Sequence, residues 1–186
     1  MNLYLIGYRA TGKSTVGRNL ARTLGLVFAD CDEEFVRDQG CSIDTLVAAR
    51  GWSAFRAVEK EILGRIAAKS GQVVASGGGA VLDADNRAVM QNSGVVVWLQ
   101  AAWQTIHERM AADRHTAANR PPLSDQELAD EIRITLAARG PLYADIADFS
   151  VVTDTVPITE VVDLIQVCLQ ELPKAAVLIA GTSSET

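Results

Sequence analysis

The sequence predicts an α/β protein built on a parallel sheet, and two features carry that reading. Short apolar runs without alternation recur at 3–6, 26–29, 73–75, 95–99 and 149–152, the pattern of strands buried on both faces. Between them, at 14–24, 54–69 and 103–112, apolar residues return at three- and four-residue spacing, the period of a helix with one packed face. Strand and helix in alternation define α/β layering.

The first run opens into Gly7-Tyr8-Arg9-Ala10-Thr11-Gly12-Lys13-Ser14, which fits G-x-x-x-x-G-K-[ST] without a mismatch and lies between a strand and a helix, the context the motif requires. Glycines permit positive φ and close approach, so successive N–H groups and the helix N-terminus form a nest for polyphosphate. Gly7, Ala10, Thr11, Gly12, Lys13, Ser14 and Thr15 are therefore expected to bind ATP. The Lys13 ammonium would meet the β- and γ-phosphates, and the Ser14 hydroxyl a Mg²⁺ that bridges them. A chance glycine-rich turn is the competing reading, and the strand and helix flanks weigh against it.

The second run ends in Asp30-Cys31-Asp32, two carboxylates at a strand's carboxyl end, where open α/β sheets bind ligands. One can hold Mg²⁺ and the other can accept from a substrate hydroxyl; either could instead cap the helix that follows. The stretch 32–49 is amphipathic and interrupted at Gly40. After the third run comes Ser76-Gly77-Gly78-Gly79-Ala80, whose glycines let a ligand touch the main chain, although a plain tight turn reads the same way. Arg56 lies at a helix start and Arg139 where a helix ends. Converging on one pocket, the two would suit a substrate carboxylate; taken singly, each reads as a solvated surface arginine.

Segment 113–125 is polar, aperiodic and carries Pro121-Pro122, which reads as a mobile loop or flap. Beyond Pro173 a small, polar tail is expected to fray. The 186 residues suit one domain at 1–173, with a substrate-binding region at about 32–60, a lid at about 112–126 and a disordered tail at 174–186. A net charge of -6 and a pI near 4.9 argue against a broad electrostatic grip on nucleic acid or anionic membrane. Three cysteines without CxxC spacing suggest neither a disulfide framework nor a zinc site. The N-terminus lacks a basic region before its apolar run, and no run reaches the roughly 20 apolar residues of a membrane-spanning helix. A cytoplasmic protein without membrane or nucleic-acid partners is expected.

Taken together the segments resemble the shikimate kinases, P-loop kinases related to the nucleoside monophosphate kinases. The ordered match runs from the phosphate loop through Phe28-Ala29-Asp30-Cys31-Asp32, Trp52-Ser53-Ala54-Phe55-Arg56, Ala75-Ser76-Gly77-Gly78-Gly79, Asn119-Arg120-Pro121-Pro122-Leu123 and Arg139-Gly140-Pro141-Leu142-Tyr143, to about Gln170. The resemblance implies a five-stranded sheet of order 2-3-1-4-5 with a mobile lid. It implies transfer of phosphate from ATP to the 3-hydroxyl of shikimate, in chorismate and aromatic amino acid biosynthesis, by a monomer. By position it implies that Asp30 holds Mg²⁺ with Ser14, and that Asp32, Arg56, Gly77, Gly78, Gly79 and Arg139 meet shikimate, the arginines at its carboxylate. Arg120 would close over ATP with the lid, and Lys13, Asp32 and Arg120 would form the catalytic set. Three features depart from the pattern: Thr153-Asp154-Thr155-Val156-Pro157 has no arginine for the adenine, the lid is somewhat longer than in many members, and His115 within it has no counterpart. Another small-metabolite kinase, such as a gluconate kinase, and a nucleotide-dependent binding module without catalysis are the alternatives.

Overall fold

All five apolar runs form strands: β1 (Asn2–Ile6), β2 (Val27–Asp30), β3 (Gln72–Ala75), β4 (Gly94–Gln100) and β5 (Phe149–Val152). The computed structural model describes residues 1–112, 125–176 and Leu178. The strands pair in parallel in the order β2-β3-β1-β4-β5, as the resemblance implied. Every residue of β1 and β3 is buried, because helices cover both faces of the sheet. At the two edges the cover thins, and Val27 and Val152 are exposed.

Alternate residues of β1 feed two cores, as the two-residue repeat of a strand demands. Leu3 and Leu5 pack with Val16 and Leu20 of α1 (Lys13–Thr23) and with Val161, Ile165 and Leu169 of α7 (Ile158–Glu171). Tyr4 and Ile6 face the other side, with Phe35 of α2 (Cys31–Gln39) and Phe55 and Ile62 of α3 (Ile43–Ala67). A third cluster joins Tyr8 to Ile106 and Met110 of α5 (Trp103–Ala112) and to Ile132 of α6 (Asp125–Ile146). Between β3 and β4, α4 (Ala84–Ser93) is capped by Asp83, whose carboxylate accepts from the Asp85 amide at 2.8 Å.

Several boundaries differ from the sequence expectation. The stretch 32–49 does break at Gly40 as expected, where α2 stops in the left-handed region, φ 63°, and α3 restarts under a cap from Ser42; the differences lie elsewhere. Helix α3 runs past Arg56 in both directions and breaks only at Gly51, φ 79° and ψ 170°. Arg139 is not at a helix end, because α6 continues through Pro141 to Ile146. Proline removes one N–H but tolerates the helical φ, and Tyr143 and Ile146 beyond it are buried in the core. The tail does not start at 174: Pro173–Ala175 form a 3-10 turn, and Ala175 and Leu178 are buried against α1 and α7. Among the described residues no helix is long and apolar enough to cross a membrane.

Gly94 starts β4 where a Cβ would lie 2.3 Å from the Asn2 carbonyl oxygen and 2.7 Å from the Tyr4 ring. Since a backbone atom cannot swing aside, Gly94→Ala should lower unfolding free energy by about 1–3 kcal/mol in a denaturant titration.

Candidate active site

β1 ends at Ile6 and the chain turns through Gly7 at φ 139°, where a Cβ would meet the Leu99 carbonyl at 2.4 Å. It enters α1 through Gly12, φ 93°, with no side-chain cap, so the first amides of α1 are left for an anion. The loop is braced internally: Thr11 Oγ1 donates to the Tyr8 carbonyl at 2.8 Å. Lys13 Nζ donates to the carbonyls of Gly7 at 2.9 Å and Tyr8 at 2.7 Å. Burial pushes the Lys13 ammonium down to about 8, against the pull of Asp32 and Asp30.

Asp30 takes the capping role weighed for it and also meets Ser14. Its Oδ1 accepts from the amides of Asp32 at 3.0 Å and Glu33 at 3.4 Å, capping α2, while Oδ2 accepts from Ser14 Oγ at 2.6 Å. Asp32 is left free of that capping role. Burial, and secondarily Asp30, push its carboxyl up to about 6. The Ser14 hydroxyl and Asp30 carboxylate are paired hard oxygen donors, the chemistry that suits Mg²⁺ shared with phosphate oxygens.

On the other side of Asp32 lies a cavity of about 170 Å³ walled by the glycine turn, Arg56 and Arg139. Each turn glycine has its own reason. A Cβ on Gly77 would lie 2.3 Å from Glu59 Oε1, on Gly78 3.3 Å from the Gly7 carbonyl, and on Gly79 2.1 Å from Arg56 Nη2. The turn is pressed between the phosphate loop and the arginine. The Gly78 carbonyl accepts from Arg139 Nη1 at 3.0 Å and from the Tyr143 hydroxyl at 2.5 Å. Burial pushes that phenol up to about 12, so it remains a donor.

Arg56 is not a surface arginine. It donates to Glu59, one turn along α3, and lies 4.9 Å from the Phe55 ring centroid and 5.6 Å from that of Trp52. Glu59 is only 3% exposed; burial raises its carboxyl, and the Arg56 charge opposes the rise. The structure thus brings Lys13, Asp30, Asp32, Arg56, Gly77, Gly78, Gly79 and Arg139 to one edge of the sheet. Arg120, and the lid apart from its ends, lie outside the described residues.

Sequence reasoning missed four contributors. Glu59 and Tyr143 hold Arg56 and Gly78. Arg109 on α5 lies beside the segment after β5: it donates to the Ala10 carbonyl at 3.2 Å, to Thr153 Oγ1 at 3.2 Å and to the Thr153 carbonyl. With Thr11, Thr15 and Val156 it walls a further cavity of about 350 Å³ beside the phosphate loop. Arg9 is the fourth. Arg9 and Tyr143 lie within motif segments at positions the motifs leave unassigned, Arg109 lies in none, and only the i, i+3 spacing of Arg56 and Glu59 could have signalled that pair.

A parallel sheet with a phosphate loop after its first strand, and a cationic pocket across one carboxylate from it, defines a P-loop small-molecule phosphotransferase. The shikimate kinase family model matches residues 9–170, and the chain belongs to the shikimate kinase family. A shikimate kinase of Nitratidesulfovibrio vulgaris is 47% identical over 145 residues, 78% of this chain and 82% of that protein. One of Symbiobacterium thermophilum is 39% identical over 92% of this chain and 97% of that protein. Among solved structures, the shikimate kinase from Acinetobacter baumannii in complex with shikimate superposes with a TM-score of 0.84 at 31% identity, covering 92% of this chain and 94% of that one. A gluconokinase from Sinorhizobium meliloti, at 19% identity and a TM-score of 0.55, shares the fold alone.

Ala10 sits in the loop at φ 60°, the only non-glycine with positive φ among the described residues. That conformation costs a Cβ-bearing residue roughly 1–2 kcal/mol, and glycine's extra chain entropy returns part of the difference. Ala10→Gly should raise unfolding free energy by about 0.5–1 kcal/mol, read as a higher denaturant midpoint at unchanged slope.

Proposed function

We propose that the protein transfers the γ-phosphoryl group of ATP to the 3-hydroxyl of shikimate, giving shikimate 3-phosphate and ADP in the route to chorismate and the aromatic amino acids. One observation carries the reading. A crevice of about 300 Å³ lined by Lys13, Ser14 and Asp30 and the arginine-walled cavity meet along Arg9, Asp32 and Gly78. A polyphosphate in the first and a carboxylated alcohol in the second would face each other across Asp32.

The steps follow from the residues. Phosphate loop amides and Lys13 hold the β- and γ-phosphates. Arg56 and Arg139 take the acceptor carboxylate by their guanidinium forks, and the glycine turn lets the ring approach the main chain. Asp32 accepts the hydroxyl proton as the acceptor oxygen bonds phosphorus and the β–γ bridging bond breaks, leaving ADP. Its raised pKa favours that proton. Ser14 and Asp30 are the residues that would hold Mg²⁺, which when bound neutralises charge on the phosphate oxygens. Arg120 would add a further cation on lid closure, a role that rests on its place in the matched motif. Most of the rate is supplied by positioning and charge neutralisation. A monomer working in the cytoplasm, with neither nucleic acid nor membrane as partner, completes the proposal.

A coupled assay should detect ADP release on adding shikimate to protein, ATP and Mg²⁺; release with gluconate and none with shikimate would reassign the acceptor. Lys13→Ala should lower kcat by roughly 10²–10³-fold, the scale of losing one charge-stabilising donor. Arg139→Ala should raise KM for shikimate about tenfold or more with the smaller effect on kcat, because it removes a contact made equally in ground and transition states. Normal turnover in the lysine variant would refute the mechanism.

A further inference from the structure

Arg9 lines both cavities, whereas Lys13 lines only the phosphate crevice and Arg56 and Arg139 only the acceptor pocket. We infer that Arg9 is the cation of the transferred phosphoryl group, binding it at the seam and holding it as the phosphate of the product. The inference rests on the transfer reading above and assigns a ligand contact within that same site.

The backbone fixes where this side chain can go. The Arg9 amide lies 3.4 Å from where a Gly78 Cβ would be, so the loop and the glycine turn are in contact and leave no room between them. The guanidinium runs along the seam and packs 5.4 Å from the Tyr8 ring centroid. Nη2 donates to Glu131 Oε1 at 2.5 Å, and the Arg9 side chain is 27% exposed. Nε is buried and, among the described residues, has no hydrogen-bond partner. An orphaned buried N–H is unfavourable, and here it belongs to a group beside the place where anionic oxygens arrive.

Glu131, Thr135 and Arg139 follow at i, i+4 and i+8 on α6 and all line the acceptor cavity, so a single face of one helix presents both the substrate arginine and the carboxylate that aims Arg9. Asp32 also faces the seam, and its negative charge adds to the demand for a cation there. The migrating group arrives as a γ-phosphate and leaves as a monoester carrying a charge of about -1.5 to -2 at neutral pH. The guanidinium fork matches two of its oxygens. Shikimate itself has no charge at that position. Arg9 therefore discriminates product from acceptor.

The test is calorimetric titration of the full-length protein, Arg9→Gln and Arg9→Lys with shikimate and with shikimate 3-phosphate, alongside steady-state kinetics. In Arg9→Gln the affinity for shikimate should stay within about twofold while that for shikimate 3-phosphate falls at least about tenfold, and kcat should fall more than KM changes. Arg9→Lys, which keeps the charge without the fork, should fall between the two. An unchanged ratio of the two affinities in whichever variant folds, or equal weakening of both ligands, overturns the inference. Failure of the parent protein to bind or phosphorylate shikimate would instead refute the transfer reading, so the two failures are distinct.

Discussion

Strand β1 lies beside β3 with Leu5 opposite Ala75, and the site depends on that register. The next residue, Ser76, locks it twice, its amide donating to the Leu5 carbonyl at 3.1 Å and its hydroxyl at 3.2 Å. Two glycine turns therefore leave the sheet at the same height and side by side. One becomes the phosphate loop and the other the wall of the acceptor pocket. Donor and acceptor sites are thus adjacent as a result of strand pairing, before any functional side chain is placed. A slip of one residue would invert every side chain of β3 and separate the turns.

On that frame the charges are arranged at a cost to stability. Lys13, Asp30, Asp32, Glu59 and Arg56 lie within or against a poorly solvated crevice, and burial drives Lys13 down and Asp32 and Glu59 up, each away from its charged form. Replacing buried charges with apolar groups of equal volume is often neutral or stabilising, so these residues are not explained by folding. The proposed transfer, which moves a highly charged group through the same space, accounts for them. Neighbouring hydrogen bonds keep the cluster ordered: Asp30 is fixed by the α2 cap and by Ser14, and Gly78 by two donors from α6.

What could be read from the sequence was what is local. The strands show as unbroken apolar runs because both faces are covered, and the phosphate loop shows because its amides and its lysine occur within eight consecutive positions. Partnerships formed by folding did not show. Arg9 and Glu131 are 122 residues apart in sequence and Arg109 and Ala10 are 99 apart; nothing in either neighbourhood anticipates the other. The misread end of α6 has a different origin. Gly140-Pro141 reads as a helix stop by local preference, and burial of Tyr143 and Ile146 outweighs that preference. The tail shows the same effect, since Ala175 and Leu178 are buried in the core cluster that α1 and α7 form with the sheet.

The break in α3 at Gly51 redirects the chain beside the acceptor cavity. A Cβ there would meet nothing within 4 Å, so the glycine serves backbone direction and not space. Upstream, Ile43 contributes apolar wall to the acceptor cavity; downstream, Arg56 and Glu59 fix its charge. Both segments shape that cavity, because Trp52 and Phe55 after the break line it as well. One bend therefore folds two stretches of a single helix around the same cavity.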